Sequence, residues 1–333
     1  MAQPSVNILI PCYNSEMYIK ECLESVLAQT WPSLEIIAFD DASTDNTWGI
    51  LQTYSSRVRS FRSSVNIGVS RARNFLLQRS GGEYIHFQDA DDLMHPCFIE
   101  LMLPWLLTGD YEVVLCNVGY FFGNNPKNLK GGWFLRPKFT DEDWLTYVIE
   151  SAGSSINSIY KREAILRIGG FREDIECAED YDLHLRLAEA GIRFAVVEQT
   201  LALARQKDKH FYRRNDLLVA AHEVLVDFYN RLNSSGRILS DRLRAKLAGD
   251  FWLKGRKLTE IGKHNIANEA FRYSQKICRD YKFPGSLIYR ILLKILGVTI
   301  TERVRYLFHR LKIYLHVFCV KWGSIFSGWC GRF

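Results

Sequence analysis

The sequence predicts an α/β protein: a sheet built largely from parallel strands, flanked by helices and followed by an α-helical C-terminal region. Two observations carry this reading. Short apolar runs alternate with amphipathic helical patterns through the first 120 residues, and from about residue 209 the pattern turns wholly helical. Strands separated by helices of this length form βαβ units, whose strands are covered on both faces and so read as continuous apolar runs.

The elements follow in order. "VNILI" (6–10) is the first strand, and "SEMYIKECLESVLAQTW" is a helix with Ser15 as its N-cap and Ile19, Cys22, Leu23, Val26 and Leu27 on one face. "LEIIAF" (34–39) is the second strand, "TWGILQTYS" a helix, "VRSFRS" a weaker third strand, and "VSRARNFLLQRS" a helix ending at Gly81-Gly82. "EYIHF" (83–87) is the fourth strand; after a helix opening near Pro96, "YEVVLCNV" (111–118) is the fifth. Residues 119–140, rich in Gly, Asn, Pro and aromatics, suggest a loop or hairpin over the sheet edge. A helix (141–151), a strand near "SSINSIY", the helix "EDYDLHLRLAEAG" and the strand "RFAVVEQTLALA" (193–204) complete the α/β part.

The domain expectation is 1–205 for the catalytic part, 206–283 for a helical region and 284–333 for a basic, apolar tail. Two of the helices, "SDRLRAKLAGDFWLKGRKLTEIG" and "HNIANEAFRYSQKIC", read as a helix-turn-helix unit of the tetratricopeptide sort. Residues 1–204 hold 17 Lys and Arg against 27 Asp and Glu, a net charge of −10, whereas 205–333 hold 26 against 10, a net of +16. An acidic front and a basic back suit different partners, a cation for the first and an anionic surface for the second. In the tail from Pro284 the only acid is Glu302, and no apolar run approaches the ~20 residues that span a bilayer. Interfacial helices are expected, with Arg303, Arg305, Arg310 and Lys312 facing anionic headgroups. Nucleic acid is not an expected partner, and homo-oligomerisation is left open. The N-terminus lacks a cationic segment followed by a long apolar stretch, and the eight cysteines show no metal-type spacing. A cytoplasmic protein with reduced thiols, peripheral on the inner face of the cell membrane, is the expectation.

The chemistry is sought at the carboxyl ends of the strands, where open α/β sheets bind ligands. After the first strand the chain reads Pro11-Cys12-Tyr13-Asn14, without the glycines of a dinucleotide turn or a P-loop. Asp40-Asp41 follow the second strand, and "QDADD" (88–92) follows the fourth. Crowded carboxylates repel unless something cationic shares the site, though a solvated acidic turn would explain them as well. A divalent cation bound by hard oxygens suits Asp89 and Asp91: Mg2+ or Mn2+ takes one or two protein carboxylates and completes its shell with water and substrate phosphates. A nucleoside diphosphate is the natural ligand.

"ILIPCYN", "FDDASTDNT", "NIGVSRARN", "GGEYIHFQDADD" and "AEDYDLHLRL" occur in an order and spacing that resembles the family 2 glycosyltransferases, over roughly residues 5–205. The resemblance implies a GT-A-type, Rossmann-like mixed sheet flanked by helices, and an inverting reaction. It also implies roles. Pro11, Tyr13 and Asn14 would line the nucleotide pocket, and Asp41 would accept a hydrogen bond from the base. Arg73 would contact nucleotide or phosphate, Asp89 the ribose or sugar, and Asp91 the metal, Mn2+ or Mg2+, with Asp92 as support. Asp180 would be the general base, beside Glu179 at a helix start whose dipole favours an anion. Arg205 would belong to a loop that closes over the diphosphate or helps hold the metal. One departure stands out: relatives have a His soon after that Arg, whereas this chain reads Arg205-Gln206-Lys207-Asp208-Lys209-His210, which leaves Lys207 and His210 without a settled role.

The expected function is therefore metal-dependent transfer of a sugar from a nucleoside diphosphate sugar, UDP-linked by preference, to a hydroxyl of a glycan or lipid-linked acceptor in cell-surface polysaccharide or lipooligosaccharide assembly. The alternative is a nucleotide-sugar-binding protein of the same fold without turnover. A phosphotransferase of the haloacid-dehalogenase sort would carry its Asp-x-Asp after the first strand, not the fourth.

Overall fold

A computed structural model describes residues 3–123, 125–135, 143–151, 154–206, 210–278, 300–302 and 304–306. The first of two compact units runs from Met1 to Ile238. Its elements are β1 (Val6–Cys12), α1 (Ile19–Leu27), β2 (Leu34–Asp40), α2 (Thr47–Thr53), β3 (Val58–Arg62), α3 (Val69–Arg79), β4 (Tyr84–Phe87), β5 (Leu93–Met94) and α4 (Phe98–Leu107). Then come β6 (Val113–Phe122), β7 (Leu129–Trp133), α5 (Trp144–Ser151), β8 (Ser158–Lys161), α6 (Arg162–Arg167), α7 (Glu179–Glu189), β9 (Phe194–Gln206) and α8 (His210–Ser234). The strand order is β3-β2-β1-β4-β8-β6-β9-β5, with β7 on β6.

The sheet is mixed. β1 pairs in parallel with β2 and β4, and β6 with β9, whereas β8 runs antiparallel between β4 and β6. Two antiparallel steps return β6 to the direction of β4, so β1, β2, β4, β6 and β9 all end on one edge. Register sharpens this: Cys12 lies beside Asp40, Leu9 beside Phe87, and Phe121 beside Arg205. Ile8, Ile10, Ile36, Ala38, Val114 and Cys116 belong to one core with Ile19, Cys22, Leu23 and Val26 of α1 and Phe98, Met102 and Leu106 of α4. That core covers one face; Leu9, Ile37, Ile85 and Phe87, at the alternate positions, are fully buried too, with α3 against β1 and β2, so the strands are covered on both faces, as continuous apolar runs require.

Several boundaries differ from the sequence reading. α1 begins at Ile19, because Ser15 turns its hydroxyl onto the Tyr13 carbonyl and its own carbonyl takes the Tyr18 and Ile19 amides in a preceding turn. Ser15 therefore does not cap the helix. The fifth apolar run continues to Phe122 and turns back as β7, so the expected cover over the edge is a hairpin. β5, α6 and β7 are short or polar and carried no periodic signal. Among the described cysteines, Cys12, Cys22 and Cys116 are buried, Cys97, Cys177 and Cys278 half-buried, and all six are free thiols; Cys319 and Cys330 lie outside the described residues.

The second unit, from Leu239, contains α9 (Asp241–Glu260) and α10 (His264–Ile277), packed as a hairpin. Ser240 caps α9 by accepting from the Leu243 amide, 3.2 Å. The helices approach closely where Gly255 meets Phe271: an added Cβ would stand 2.6 Å from the ring. Most of the 284–333 tail lies outside the described residues. Of its basic residues, Arg305 is spent on Glu302 (2.6 Å) and Glu260 (3.1 Å), and buried Glu302 also takes Arg256. Arg305 is therefore turned to protein carboxylates, whereas the sequence reading turned it to headgroups. Among the described residues no helix is long and apolar enough to cross a membrane.

His86, on β4, is fully buried, with Nδ1 2.8 Å from the Ser158 carbonyl and Nε2 3.1 Å from Gln88 Oε1. Burial holds its pKa below the ordinary imidazole value, against the opposing pull of both partners. Below about pH 6.5 the unfolded chain takes up a proton that the folded chain refuses, so this residue costs stability as pH falls, by at most ~1.4 kcal/mol per pH unit. Urea titrations between pH 7.5 and 5 should show a steeper loss in wild type than in His86→Gln; equal slopes would refute it.

Candidate active site

Each cluster noted at the ligand edge is positioned by a strand end. β4 delivers Gln88 to Asp92, where the Asp92 amide donates to the Asp89 carbonyl (3.1 Å) and closes a turn. β2 delivers Asp40 and Asp41, both buried. Asp40 pairs with Arg62 (2.9 Å), while the Asp41 carboxylate accepts the Ile67 and Gly68 amides at 2.7 and 2.9 Å. Gly68 has φ +87, a conformation glycine adopts readily, and it leads directly into α3. Asp41 thus anchors the entry to the helix that carries Arg73. Each of its oxygens keeps a further lone-pair direction for a ligand donor.

Arg73 is the centre of the site. Its guanidinium is 2% exposed and donates Nη2 to Asp89 (2.8 Å) and Nη1 to Glu179 (2.7 Å) and Asp180 (3.0 Å). The ring of Phe171 lies 5.1 Å from the guanidinium carbon. Residues 16 and about 106 positions away are thereby joined through one side chain. Arg73, expected to contact nucleotide or phosphate, is directed at three carboxylates in this structure.

Asp180 is held from two sides. Opposite Arg73, its Oδ2 accepts the Ser154 hydroxyl at 2.9 Å and the Ser155 amide at 3.1 Å. Burial pushes its carboxyl up, but Arg73, the Ser155 amide, His184 and the Ser154 hydroxyl outweigh it and hold the group below its ordinary range. Glu179 goes the other way, raised by burial and by Asp180 despite Arg73. Asp89 is also raised, by burial and then by Asp180 and Asp91, against Arg73. Three carboxylates around one guanidinium leave net negative charge, which a bound cation would balance. Ser154 and Ser155 carried no sequence signal of their own; only the fold brings them to Asp180.

Asp91 is half-buried in the same turn. Among the described residues no group of three or more His, Cys, Asp or Glu side chains forms a metal cage. The carboxylate-only donor set fits a hard cation taken through one or two carboxylates and completed by phosphate oxygens. Asp92 accepts the Arg205 amide at 2.8 Å, a supporting contact. Tyr13 and Asn14 are exposed after β1, with Pro11 half-buried, and Asn14 Oδ1 accepts the Thr44 amide (2.9 Å). Arg205 is brought to the edge but enclosed there, bonded to the Asp91 carbonyl (3.0 Å) and to Glu21. Lys207 lies outside the described residues, and His210 opens α8.

Among the described residues the non-glycine positions with positive φ are Asn14, Ala42 and Ala178. They follow β1 and β2 and precede Glu179. Such backbone costs of order 1–3 kcal/mol each and persists where the surroundings over-determine it, often at functional sites.

The fold is the GT-A type, and the chain belongs to glycosyl transferase family 2, whose model matches residues 7–169. The putative glycosyltransferase EpsH of Bacillus subtilis is 32% identical over 289 residues, 73% of this chain and 82% of that protein. Chondroitin synthase of Escherichia coli is 34% identical over 195 residues, 56% of this chain but only 27% of the synthase. Solved structures share the fold at low sequence identity. S. aureus TarS 1–349 in complex with UDP-GlcNAc matches at TM-score 0.55 and 17% identity, covering 84% of this chain and 91% of that one. The mannosyltransferase PcManGT from Pyrobaculum calidifontis, in complex with GDP-Man and Mn2+, matches at TM-score 0.56 and 18% identity, covering 92% and 86%.

Removing the shared cation leaves three crowded, partly buried carboxylates. Arg73→Met should lose about 3–5 kcal/mol in chemical denaturation and Arg73→Lys less; a loss below ~1 kcal/mol in Arg73→Met would show that the cluster does not depend on it.

Proposed function

We propose that the protein is a metal-dependent inverting glycosyltransferase. It moves a sugar from a nucleoside diphosphate sugar, with a UDP-sugar as the expected donor, to a hydroxyl of a glycan or lipid-linked acceptor in cell-surface polysaccharide or lipooligosaccharide assembly. The observation that carries this is the Arg73 bridge, which puts the Asp89–Asp92 turn and the Glu179-Asp180 pair into one electrostatic unit. Support comes from family membership, from the synthase named among the relatives, and from the UDP-GlcNAc and GDP-Man held by the two structural neighbours.

In this reading Pro11, Tyr13, Asn14 and Asp41 receive the nucleotide, Asp41 accepting a base N–H. Asp89 meets the ribose or sugar, and Asp91 holds Mn2+ or Mg2+. Bound there, the ion would supply positive charge against the leaving diphosphate. The acceptor oxygen attacks the anomeric carbon from the face opposite the diphosphate; its O–H proton passes to Asp180 as the new C–O bond forms and the bond to the diphosphate breaks. An α-linked donor then gives a β-type product, with no covalent intermediate. Asp180 is poised for this because Ser154 and Ser155 fix one oxygen and Arg73 keeps the group ionised. The same ion pair weakens it as a base, so proton transfer requires the Arg73 contact to loosen as acceptor binds. The net +16 of residues 205–333 supports a peripheral place on the anionic inner face of the cell membrane.

A donor screen that follows nucleotide release, run in Mn2+, Mg2+ and EDTA, tests the reaction. Asp91→Ala should lose metal-dependent donor binding, and Asp180→Asn should bind donor yet transfer at least about 100-fold more slowly; unchanged transfer in Asp180→Asn removes it as base. In flotation on anionic vesicles, protein truncated before Pro284 should fail to float, and full retention would exclude the tail as anchor.

A further inference from the structure

Arg205, at the end of β9, is the second buried guanidinium of this edge. Its side chain is 2% exposed, and the residue meets three separate stretches of chain. The backbone amide donates to the Asp92 carboxylate (2.8 Å) and Nε to the Asp91 carbonyl (3.0 Å). Nη1 donates to the carbonyl of Gly123, in the turn between β6 and β7, and Nη2 to Glu21 of α1. The rings of Phe121 and Tyr18 lie 4.6 and 5.0 Å from the guanidinium carbon.

This is a clamp. A guanidinium donates along fixed directions in one plane, so partners on three sides of it are held in a set relation to one another. Charge-assisted bonds to a carbonyl and a carboxylate are the stronger kind, and breaking them in a buried place leaves the partners unpaired. For Arg205 to reach a diphosphate it would have to give up several of them. The bond to the Asp91 carbonyl fixes that peptide plane, and with it the direction in which the Asp91 side chain leaves the turn. The turn is therefore pinned at both ends: Arg73 holds the Asp89 carboxylate, and Arg205 holds the Asp91 carbonyl and the Asp92 carboxylate.

We propose that Arg205 is a positioning residue, which aims Asp91 and couples the Asp89–Asp92 turn to the β6–β7 hairpin. This rests on Asp91 as the metal ligand of a nucleotide site. The role differs from a diphosphate contact in what it predicts. A point charge such as Lys can still serve a phosphate, but it cannot span a carbonyl of one turn, a carbonyl of another and a carboxylate of a helix. A positioning residue should also act on the metal-dependent part of nucleotide affinity and leave the metal-free part alone.

The full chain is titrated with UDP and with GDP by calorimetry, in Mn2+ and in EDTA, as wild type, Arg205→Lys, Arg205→Met and Glu21→Gln. We expect metal-free affinity to be unchanged and the gain conferred by Mn2+ to fall by about 10- to 100-fold in both Arg205 variants, the range for residues that orient a metal ligand from behind. Glu21→Gln should show a smaller loss of the same kind. Amide hydrogen exchange over residues 88–94 and 119–123 should quicken together in the Arg205 variants. Near-wild-type binding by Arg205→Lys, with Arg205→Met weakened in EDTA as well, would overturn the proposal in favour of a diphosphate contact. If both Arg205 variants fail to fold, Glu21→Gln decides, and an unchanged Mn2+ gain there overturns it. A wild type whose affinity for neither nucleotide responds to Mn2+ removes the nucleotide-metal reading and this inference with it; a responsive wild type with three responsive variants removes this inference alone.

Discussion

Arg73 brings one positive charge into a space shared by three carboxylates, and much of what distinguishes this edge of the sheet follows from that imbalance. A buried guanidinium is costly unless its donors are met, and a cluster of carboxylates is costly unless something cationic sits among them. Each cost here is met by the other, though not completely, since negative charge remains. The remainder shows in Asp89 and Glu179, both pushed above the ordinary carboxylate range, and in Asp180, which is pulled below it because it has the Ser155 amide and Ser154 hydroxyl in addition to Arg73. Similar side chains a few ångströms apart thus acquire different acidities from their surroundings, which is how a site separates binding carboxylates from a proton acceptor.

The scaffold makes this arrangement geometrically cheap. Parallel β1, β2 and β4 end together, so short segments after each reach one place without long loops. The inserted antiparallel β8 then lets β6 and β9 end on the same side, and brings Arg205 to the edge beside Phe121. Tension is stored in the backbone where these segments turn: Asn14, Ala42 and Ala178 take left-handed conformations that non-glycine residues avoid. Asn14 is braced by Thr44, and Ala178 leads into the ion-paired Glu179-Asp180, so the contacts that follow each turn hold it in place.

Particular elements show how far the sequence could be read. β1, β2 and β4 were legible because burial on both faces demands unbroken apolar runs, and α1 because Ile19, Cys22, Leu23 and Val26 recur at helical spacing. β5, with two residues, and β7, "LKGGW", had no such pattern; each exists because a neighbouring strand edge needed a partner. The N-cap at Ser15 was misread because a hydroxyl that can cap a helix can equally bond a nearby carbonyl. The carboxylates of the site stood out as crowded like charges and as familiar spacings. Ser154 and Ser155 did not, because nothing marks a serine as a partner for an aspartate 25 or 26 positions on.

The sequence by itself determined the α/β order, the ligand edge, and which acidic residues gather there, because strand burial, helix periodicity and charge crowding are local properties of the chain. Only the tertiary structure decided which groups the two arginines meet. A guanidinium in a sequence is a charge with no direction, and phosphate was a reasonable partner for both Arg73 and Arg205. Whether it meets phosphate, carboxylate or carbonyl depends on which distant segments close around it, and that is settled by strand register and packing.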